Sequence, residues 1–204
     1  MLDILSLISL LFIIAILRRI VNVLPSVFMC AVRWKENINL DSIVKLSRDR
    51  DLTAAVLTIP FLLIVSRFNL LSFRFTEGMT PEARFCTTAA VFAAYLLFRI
   101  FASQVFISRK SRRAFRDKDN SDRTFFIILA ITLLACSPIL SALNIGTNAA
   151  RHTMFWLSAA IYSLFLIRKF QIFQSYHPNF TAFLYLCALE IIPTGTLVVS
   201  AIIF

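Results

Sequence analysis

The sequence predicts an all-α fold: a polytopic transmembrane helical bundle of six spans, plus one interfacial amphipathic helix. Of the 204 residues, 59% are hydrophobic and only 16% are charged, and the mean hydropathy is +0.80. A soluble domain has about 45–50% apolar and about 25% charged residues, so the composition indicates a membrane protein. The apolar runs are continuous and do not alternate residue by residue, which favours membrane helices over strands.

Six apolar segments are interpreted as membrane-crossing helices, which typically need about 20 apolar residues. They cover residues 2–17, 52–73, 83–106, 124–143, 149–167 and 180–204. The first is short and carries Asp3 at its start, and no small-residue cleavage site follows it, so we expect a retained anchor. All of residues 1–204 are predicted to form a single integral membrane domain.

Residues 20–34 are predicted to form the interfacial helix. The segment is apolar, but it is too short to span a bilayer, and basic residues flank both of its ends. These properties fit a helix that lies on the cytoplasmic face of the membrane. The alternative is a seventh span, which would break the charge pattern of the loops.

The distribution of basic residues predicts that both termini lie outside the cytoplasm. Seven basic residues follow the first segment, seven follow the third and two follow the fifth, whereas the opposite side receives only Arg67, Arg74, Arg84 and Arg151. An excess of basic residues marks cytoplasmic loops, and six crossings return both termini to the same side. The mixed-charge loop at residues 108–123 is expected to be a solvated connector that touches anionic lipid headgroups.

Glu190 is the first candidate for a site, because it lies in the middle of the last apolar segment. At about 1.5 Å per residue, Glu190 lies about 15 Å from the cytoplasmic start of its helix and Arg99 about 11 Å from the cytoplasmic end of its own. A charge at such depth normally has a partner. The sequence therefore predicts an intramembrane pair of Arg99 and Glu190, with Arg67, about 22 Å deep, as the second candidate partner.

Further polar residues are predicted to support this pair. Spacings of seven, four and four residues place three of them on the same face of the third helix as Arg99, and another shares the face of Glu190. With Arg67, the supporting candidates are Thr88, Tyr95, Ser103 and Thr194. Because Pro193 has no N–H, the carbonyl of Leu189 is expected to lose its helical partner and to add a polar group beside the carboxylate.

The segment FLYLCALEIIP, at residues 183–193, resembles the C-terminal signature of a family of multi-span inner-membrane proteins from Bacteroides-type bacteria. Glu190 falls on the glutamate of that motif. The resemblance implies a bacterial inner membrane with periplasmic termini. It implies no activity, because the family is defined by a domain of unknown function. The tail TGTLVVSAIIF departs from the leucine-rich end with a basic residue that the family leads one to expect.

Two functions remain open. The first is a non-catalytic accessory or assembly component of an envelope complex, in which a buried Arg–Glu pair fixes helix packing. The alternative is a small transporter or proton-coupled carrier that uses the pair. No catalytic constellation, metal cluster or phosphate-binding loop is visible, so we expect no enzyme, cofactor or metal. The expected partners are membrane lipid and other membrane proteins, and no nucleic acid, because no aromatic stacking pattern accompanies the basic residues. The oligomeric state stays open.

Overall fold

A computed structural model describes residues 2–32, 44–70, 78–106, 112–143 and 146–203. Across these ranges the chain forms helices and turns and no strand, so the predicted all-α class is confirmed. The α-helices are α1 (Leu2–Val32), α2 (Val44–Arg67), α3 (Pro81–Phe106), α4 (Arg112–Ala142), α5 (Thr147–Tyr176), α6 (Asn179–Leu186) and α7 (Ile192–Ile203). A π-helical turn, Cys187–Ile191, joins α6 to α7.

The first helix is longer than predicted. It continues without a break from Leu2 to Val32 and includes Pro25. The predicted boundary between a span at residues 2–17 and a separate helix at residues 20–34 is therefore wrong; residues 33 and 34 lie outside the described ranges. The helix continues because Ile20, Val23 and Val27 bury one face of its second half, and packing against neighbouring helices allows a proline inside a membrane helix.

The second helix ends earlier than predicted. The sequence predicted a span to residue 73, but α2 ends at Arg67, and residues 71–73 lie outside the described ranges. Asn69 adopts a φ of 48°, and the N–H of Leu70 donates to the carbonyl of Val65 at 3.1 Å. This is the geometry of a left-handed helix end, which asparagine tolerates better than most residues.

The fourth helix begins well before its apolar segment. The sequence predicted a solvated loop at residues 108–123, whereas α4 starts at Arg112, so the loop prediction is wrong for residues 112–123. Residues 108–111 are outside the described ranges. The first turns of α4 pack against α2, where Arg50 Nη2 donates to Asn120 Oδ1 at 3.0 Å and Arg123 pairs with Asp51. These contacts order a charged stretch that hydropathy assigns to solvent.

Within the described ranges, four helical stretches are long and apolar enough to cross a membrane: Asp3–Cys30, Pro81–Val105, Ala114–Ala142 and Asn179–Val199. The chain is thus a membrane protein by length and composition, but the prediction of six spans is not confirmed. In α2 the apolar stretch at residues 52–66 lies between Asp51 and Arg67. In α5 the stretch between Arg151 and Arg168 is mostly apolar, and further apolar residues follow Lys169.

The described part of the chain has two apolar core clusters. The larger one joins α1, α2, α4 and α5, and the smaller one joins Ala114, Phe115, Phe173, Ala182 and Leu189. Along α4, Asp122 lies between Phe115 of the smaller cluster and Ile127 of the larger one. Many large apolar side chains on α1 and α3 are exposed, as expected for surfaces that meet lipid. Charged residues of α4 lie between the two clusters, and some of them belong to the candidate site.

Candidate functional site

The structure places the two predicted partners in direct contact. Arg99 Nη2 on α3 donates to Glu190 Oε1 on the π-helical turn at 2.6 Å. The Glu190 side chain is 0% exposed and that of Arg99 is 15% exposed. The depth argument from the sequence therefore identified a contact between residues that lie 91 positions apart.

Three further charged residues join this pair and make a five-residue network. Lys118 and Asp122 come from α4 and Lys169 from α5. Asp122 lies 2.8 Å from Arg99 and 3.3 Å from Lys118, and it also pairs with Lys169. Glu190 pairs with Lys169 and lies 3.9 Å from Lys118. Each of the two carboxylates thus contacts the same three cations, and the network connects α3, α4, α5 and the π-helical turn.

Most of this network is removed from solvent. The side chains of Glu190 and Lys169 are 0% exposed and that of Lys118 is 2% exposed, whereas that of Asp122 is 18% exposed. Lys169 Nζ also lies 3.9 Å from the centroid of the Phe165 ring, a cation–π distance. Glu190 Oε2 has no hydrogen-bond partner among the described residues. The carboxylate therefore takes all its ion-pair contacts through Oε1.

The π-helical turn presents Glu190 to the network. The N–H of Ile192 donates to the carbonyl of Cys187, five residues earlier, in place of the α-helical partner four residues earlier. Pro193 follows and has no N–H, so a regular α-helical bond to Leu189 cannot form. A π-helical turn accommodates this loss and is frequent at functional sites. The sequence signal was Pro193, three residues after the glutamate.

A set of hydroxyl groups adjoins the network on the side of α7. Thr194 Oγ1 lies 3.1 Å from the hydroxyl of Tyr95 and 3.0 Å from that of Tyr162. The Tyr162 hydroxyl also lies 3.2 Å from the main-chain carbonyl of Glu190. The predicted supporting residues Tyr95 and Thr194 therefore do lie beside Glu190, and a tyrosine of α5 joins them.

The other predicted supporting residues lie elsewhere. Arg67 lines a separate cavity of about 560 Å³ together with Asp3 and Arg84, so it does not contact Glu190 in the described structure. Thr88 donates to the carbonyl of Arg84, and Ser103 donates to that of Ile100. These two hydroxyl groups form hydrogen bonds with main-chain carbonyls of their own helix. Sharing a helical face with Arg99 was not enough to bring them to the site.

Sequence reasoning missed Lys118, Asp122, Lys169 and Tyr162. It placed the first three in cytoplasmic loops, because runs of charge usually mark solvated connectors. One signal was available: Lys118 and Asp122 are four residues apart, so they share a helical face one turn before the apolar run. A second was that apolar residues continue after Lys169, which predicts that the helix continues past it.

A cavity of about 580 Å³ opens beside the network between α2, α3, α4 and α5. Arg99 and Asp122 line it, as do Tyr95 and Tyr162, whereas Glu190 and Lys169 do not. Solvent or a ligand in this cavity would therefore reach two members of the network directly, and Glu190 only through the side chains that separate it from the cavity.

The described residues contain no group of three or more His, Cys, Asp or Glu side chains arranged to hold a metal ion. Comparison of the chain with protein-family models, curated proteins and solved structures finds no match. The network and the cavity are therefore the features that bear on function.

Proposed function

We propose that this chain is a multi-pass inner-membrane protein that acts as a non-catalytic accessory or assembly component, in which the five-residue network locks the helices together. One observation carries the proposal: both carboxylates contact the same three cations, and Glu190 and Lys169 are completely buried. The charged groups contact one another, so the main partners of the network are its own members.

The energetics of buried charge support this role. An unpaired charge at the centre of a membrane helix costs about 2.5–3.5 kcal/mol on insertion scales. Pairing reduces the cost, and removing one partner of a buried pair typically destabilises a protein by about 3–5 kcal/mol. A closed network therefore penalises any arrangement in which the four elements separate, and the helices keep a single register.

We also propose six crossings with periplasmic termini, with the network near the cytoplasmic edge of the hydrocarbon core. Asp3 and Arg84 line one cavity at the outer end. Arg99 lies fifteen residues beyond Arg84, about 22 Å along a helix, within a core about 30 Å thick. The second half of α1 and the start of α4 then extend into the cytoplasmic headgroup region, which accounts for their charged and amphipathic sequences.

The test is a double-mutant cycle on Arg99 and Glu190, with the free energy of unfolding measured in detergent. If the network is a structural lock, Glu190→Gln and Arg99→Gln each destabilise the protein, and the double variant costs less than the sum, because each single change leaves an unmatched partner. Additive costs would contradict a direct structural coupling between the two residues.

A small proton-coupled carrier is the second candidate, favoured by the cavity that reaches Arg99 and Asp122. In that case Glu190→Gln leaves folding nearly intact. Proteoliposomes that contain the wild-type chain then pass protons down an imposed pH gradient, and the variant does not. A wild-type protein that leaves the gradient unchanged would argue against this candidate and leave the structural role in place.

A further inference from the structure

The cavity between α2, α3, α4 and α5 has the form of a site for an amphiphile. Its volume of about 580 Å³ is within the range of about 300–1,000 Å³ that is usual for small-molecule sites. Charged side chains line one end, together with Tyr162 and Phe165, and the other end is apolar. None of the proposed roles of the Arg99–Glu190 pair requires such a division.

The apolar end is built from three helices. The rings of Phe61, Phe92 and Phe126 line it and pack against one another, with centroids 5.3 to 6.4 Å apart. Phe61 follows Asp51 by ten residues on α2, a distance of about 15 Å along the helix. The small side chain of Ala55 lies between these two positions and leaves room in the wall. The cavity is therefore elongated along the helices, as an acyl chain requires.

The charged end carries two positive and two negative residues. Asp51 pairs with Arg123, and their side chains are 40% and 48% exposed. Arg99 lies 2.8 Å from Asp122 beside them. All four residues line the cavity. The charges of these four residues balance, and Arg50 also contacts Asp51 at 3.2 Å. This end offers guanidinium donors for a phosphate and carboxylate acceptors for an ammonium group.

We propose that the cavity binds one phospholipid whose headgroup carries a phosphate and a primary ammonium, as in phosphatidylethanolamine. The phosphate pairs with Arg123, the ammonium donates to Asp51, and one acyl chain extends toward Phe61. A lipid with an anionic headgroup and no ammonium leaves the carboxylates unmatched. A quaternary ammonium carries charge but has no N–H to donate.

The site does not depend on the structural role of the network. Asp51, Arg123 and Ala55 contact neither Glu190 nor Lys169 in the described structure, so variants at these positions test the lipid site and leave the five-residue network in place. A failure of lipid binding and a failure of the double-mutant cycle are therefore separate results.

The experiment is native mass spectrometry of the full chain, purified in detergent and mixed with equal amounts of phosphatidylethanolamine, phosphatidylglycerol and phosphatidylcholine. The expected result is one retained phosphatidylethanolamine per protein, with retention about tenfold above that of the other two lipids. Equal retention of the three lipids, a preference for phosphatidylglycerol, or no retained lipid would overturn the proposal.

Two variants locate the site, each with a matched control. Ala55→Trp fills the cavity and should abolish retention, whereas Ala160→Trp, at an exposed position outside the cavity lining, should not change it. Asp51→Asn removes a carboxylate and leaves Arg123 unpaired, so preference should shift to phosphatidylglycerol. Asp49→Asn, whose carboxylate lies 3.6 Å from Arg19 instead, should keep the wild-type preference.

Thermal unfolding of each sample establishes that the variants are folded. If Ala55→Trp does not fold, the comparison of Asp51→Asn with Asp49→Asn decides the question alone. Retention by folded Ala55→Trp equal to that by Ala160→Trp would show that the lipid binds elsewhere. An unchanged preference in Asp51→Asn would refute the assigned headgroup contacts.

Discussion

At the scale of single residues, the network has one more cation than it has anions. Loss of a cation and loss of an anion should therefore have different effects on stability. It contains three cations, Arg99, Lys118 and Lys169, and two anions, Asp122 and Glu190. Removal of one cation leaves two charges of each sign. Removal of one anion leaves three cations around a single carboxylate, in a region where water reaches only part of the cluster.

We therefore predict that Glu190→Gln destabilises the protein more than Arg99→Gln does. Loss of the carboxylate from a buried cluster should cost about 3–5 kcal/mol, and loss of Arg99 should cost less, because the four remaining charges balance. The measurement is the free energy of unfolding in detergent. An equal or larger cost for Arg99→Gln would show that the charge count does not govern the network.

Asp119→Asn is the control for this comparison. Asp119 contacts Lys118 at 3.3 Å, but its side chain is 54% exposed, so water screens the interaction. A small effect is expected at Asp119 even though it contacts the same lysine as Glu190. A large effect there would mean that loss of any carboxylate near Lys118 is sufficient, whatever its burial.

At the scale of elements, two helical features bring the charged residues of the site together. The π-helical turn between α6 and α7 aims Glu190 at the network, and α4 begins early enough to bring Lys118 and Asp122 beside it. Neither feature follows from hydropathy, because a π-helical turn and an α-helical turn have the same composition. The prolines and the spacing of charges carry the only local signals.

Pro193→Ala is predicted to destabilise the protein. Proline in a helix interior is about 3 kcal/mol less favourable than alanine, so the local effect alone predicts stabilisation. Alanine, however, permits a regular α-helical turn, which rotates Glu190 relative to α7 by about 100° and removes it from Arg99. We expect the loss of the ion pairs to outweigh the local gain, and thermal unfolding in detergent measures the balance.

Pro138→Ala provides the matched control, since Pro138 is an exposed proline in the regular part of α4. At this position the higher helix propensity of alanine should stabilise the protein without any loss of ion pairs. The variant should therefore be neutral or more stable than the wild type. Stabilisation by Pro193→Ala to the same extent would show that the π-helical turn is not required for the network.

The continuity of α1 gives a second prediction at this scale. Spin labels at Leu11 and Phe28, which are both exposed, should be about 26 Å apart along an unbroken helix, since seventeen residues separate them. Double electron–electron resonance, on a variant from which the native cysteines have been removed, measures this distance. A clearly shorter distance would restore the separate interfacial helix that the sequence predicted after Arg19.

At the scale of the whole molecule, the helices α1 to α5 are each longer than a hydrocarbon core. α1 has 31 residues, about 46 Å, compared with about 30 Å for the core and about 40–45 Å with the headgroup regions. Tilt accommodates part of the excess. In the proposed topology, the remainder extends into the cytoplasmic headgroup region, on the same side as the smaller apolar cluster with Phe115 and Phe173.

The proposed topology predicts that a reporter active only in the cytoplasm is silent when fused after residue 204 and active when fused after residue 110. The charge bias of the loops is the physical reason, because basic residues are retained on the cytoplasmic side. The fusion after residue 110 serves as the positive control for expression. Activity at residue 204 equal to that at residue 110 would contradict the periplasmic placement of the C-terminus.

The sequence by itself determined the helical membrane class and the contact of Arg99 with Glu190. Both follow from one-dimensional quantities: the density of apolar residues and the depth of a charge along a helix of known rise. An interior carboxylate has few possible partners, so depth alone was sufficient to select one.

Only the tertiary structure decided the course of α1, the early start of α4 and the entry of Lys118, Asp122 and Lys169 into the network. Each depends on what a neighbouring helix offers: Asn120 is buried because Arg50 faces it, and Lys169 is buried because two carboxylates from other elements meet it. A charge next to an apolar segment looks the same in sequence whether it faces water or an opposite charge. The free energy of burying it depends on that partner, and the fold alone supplies the partner.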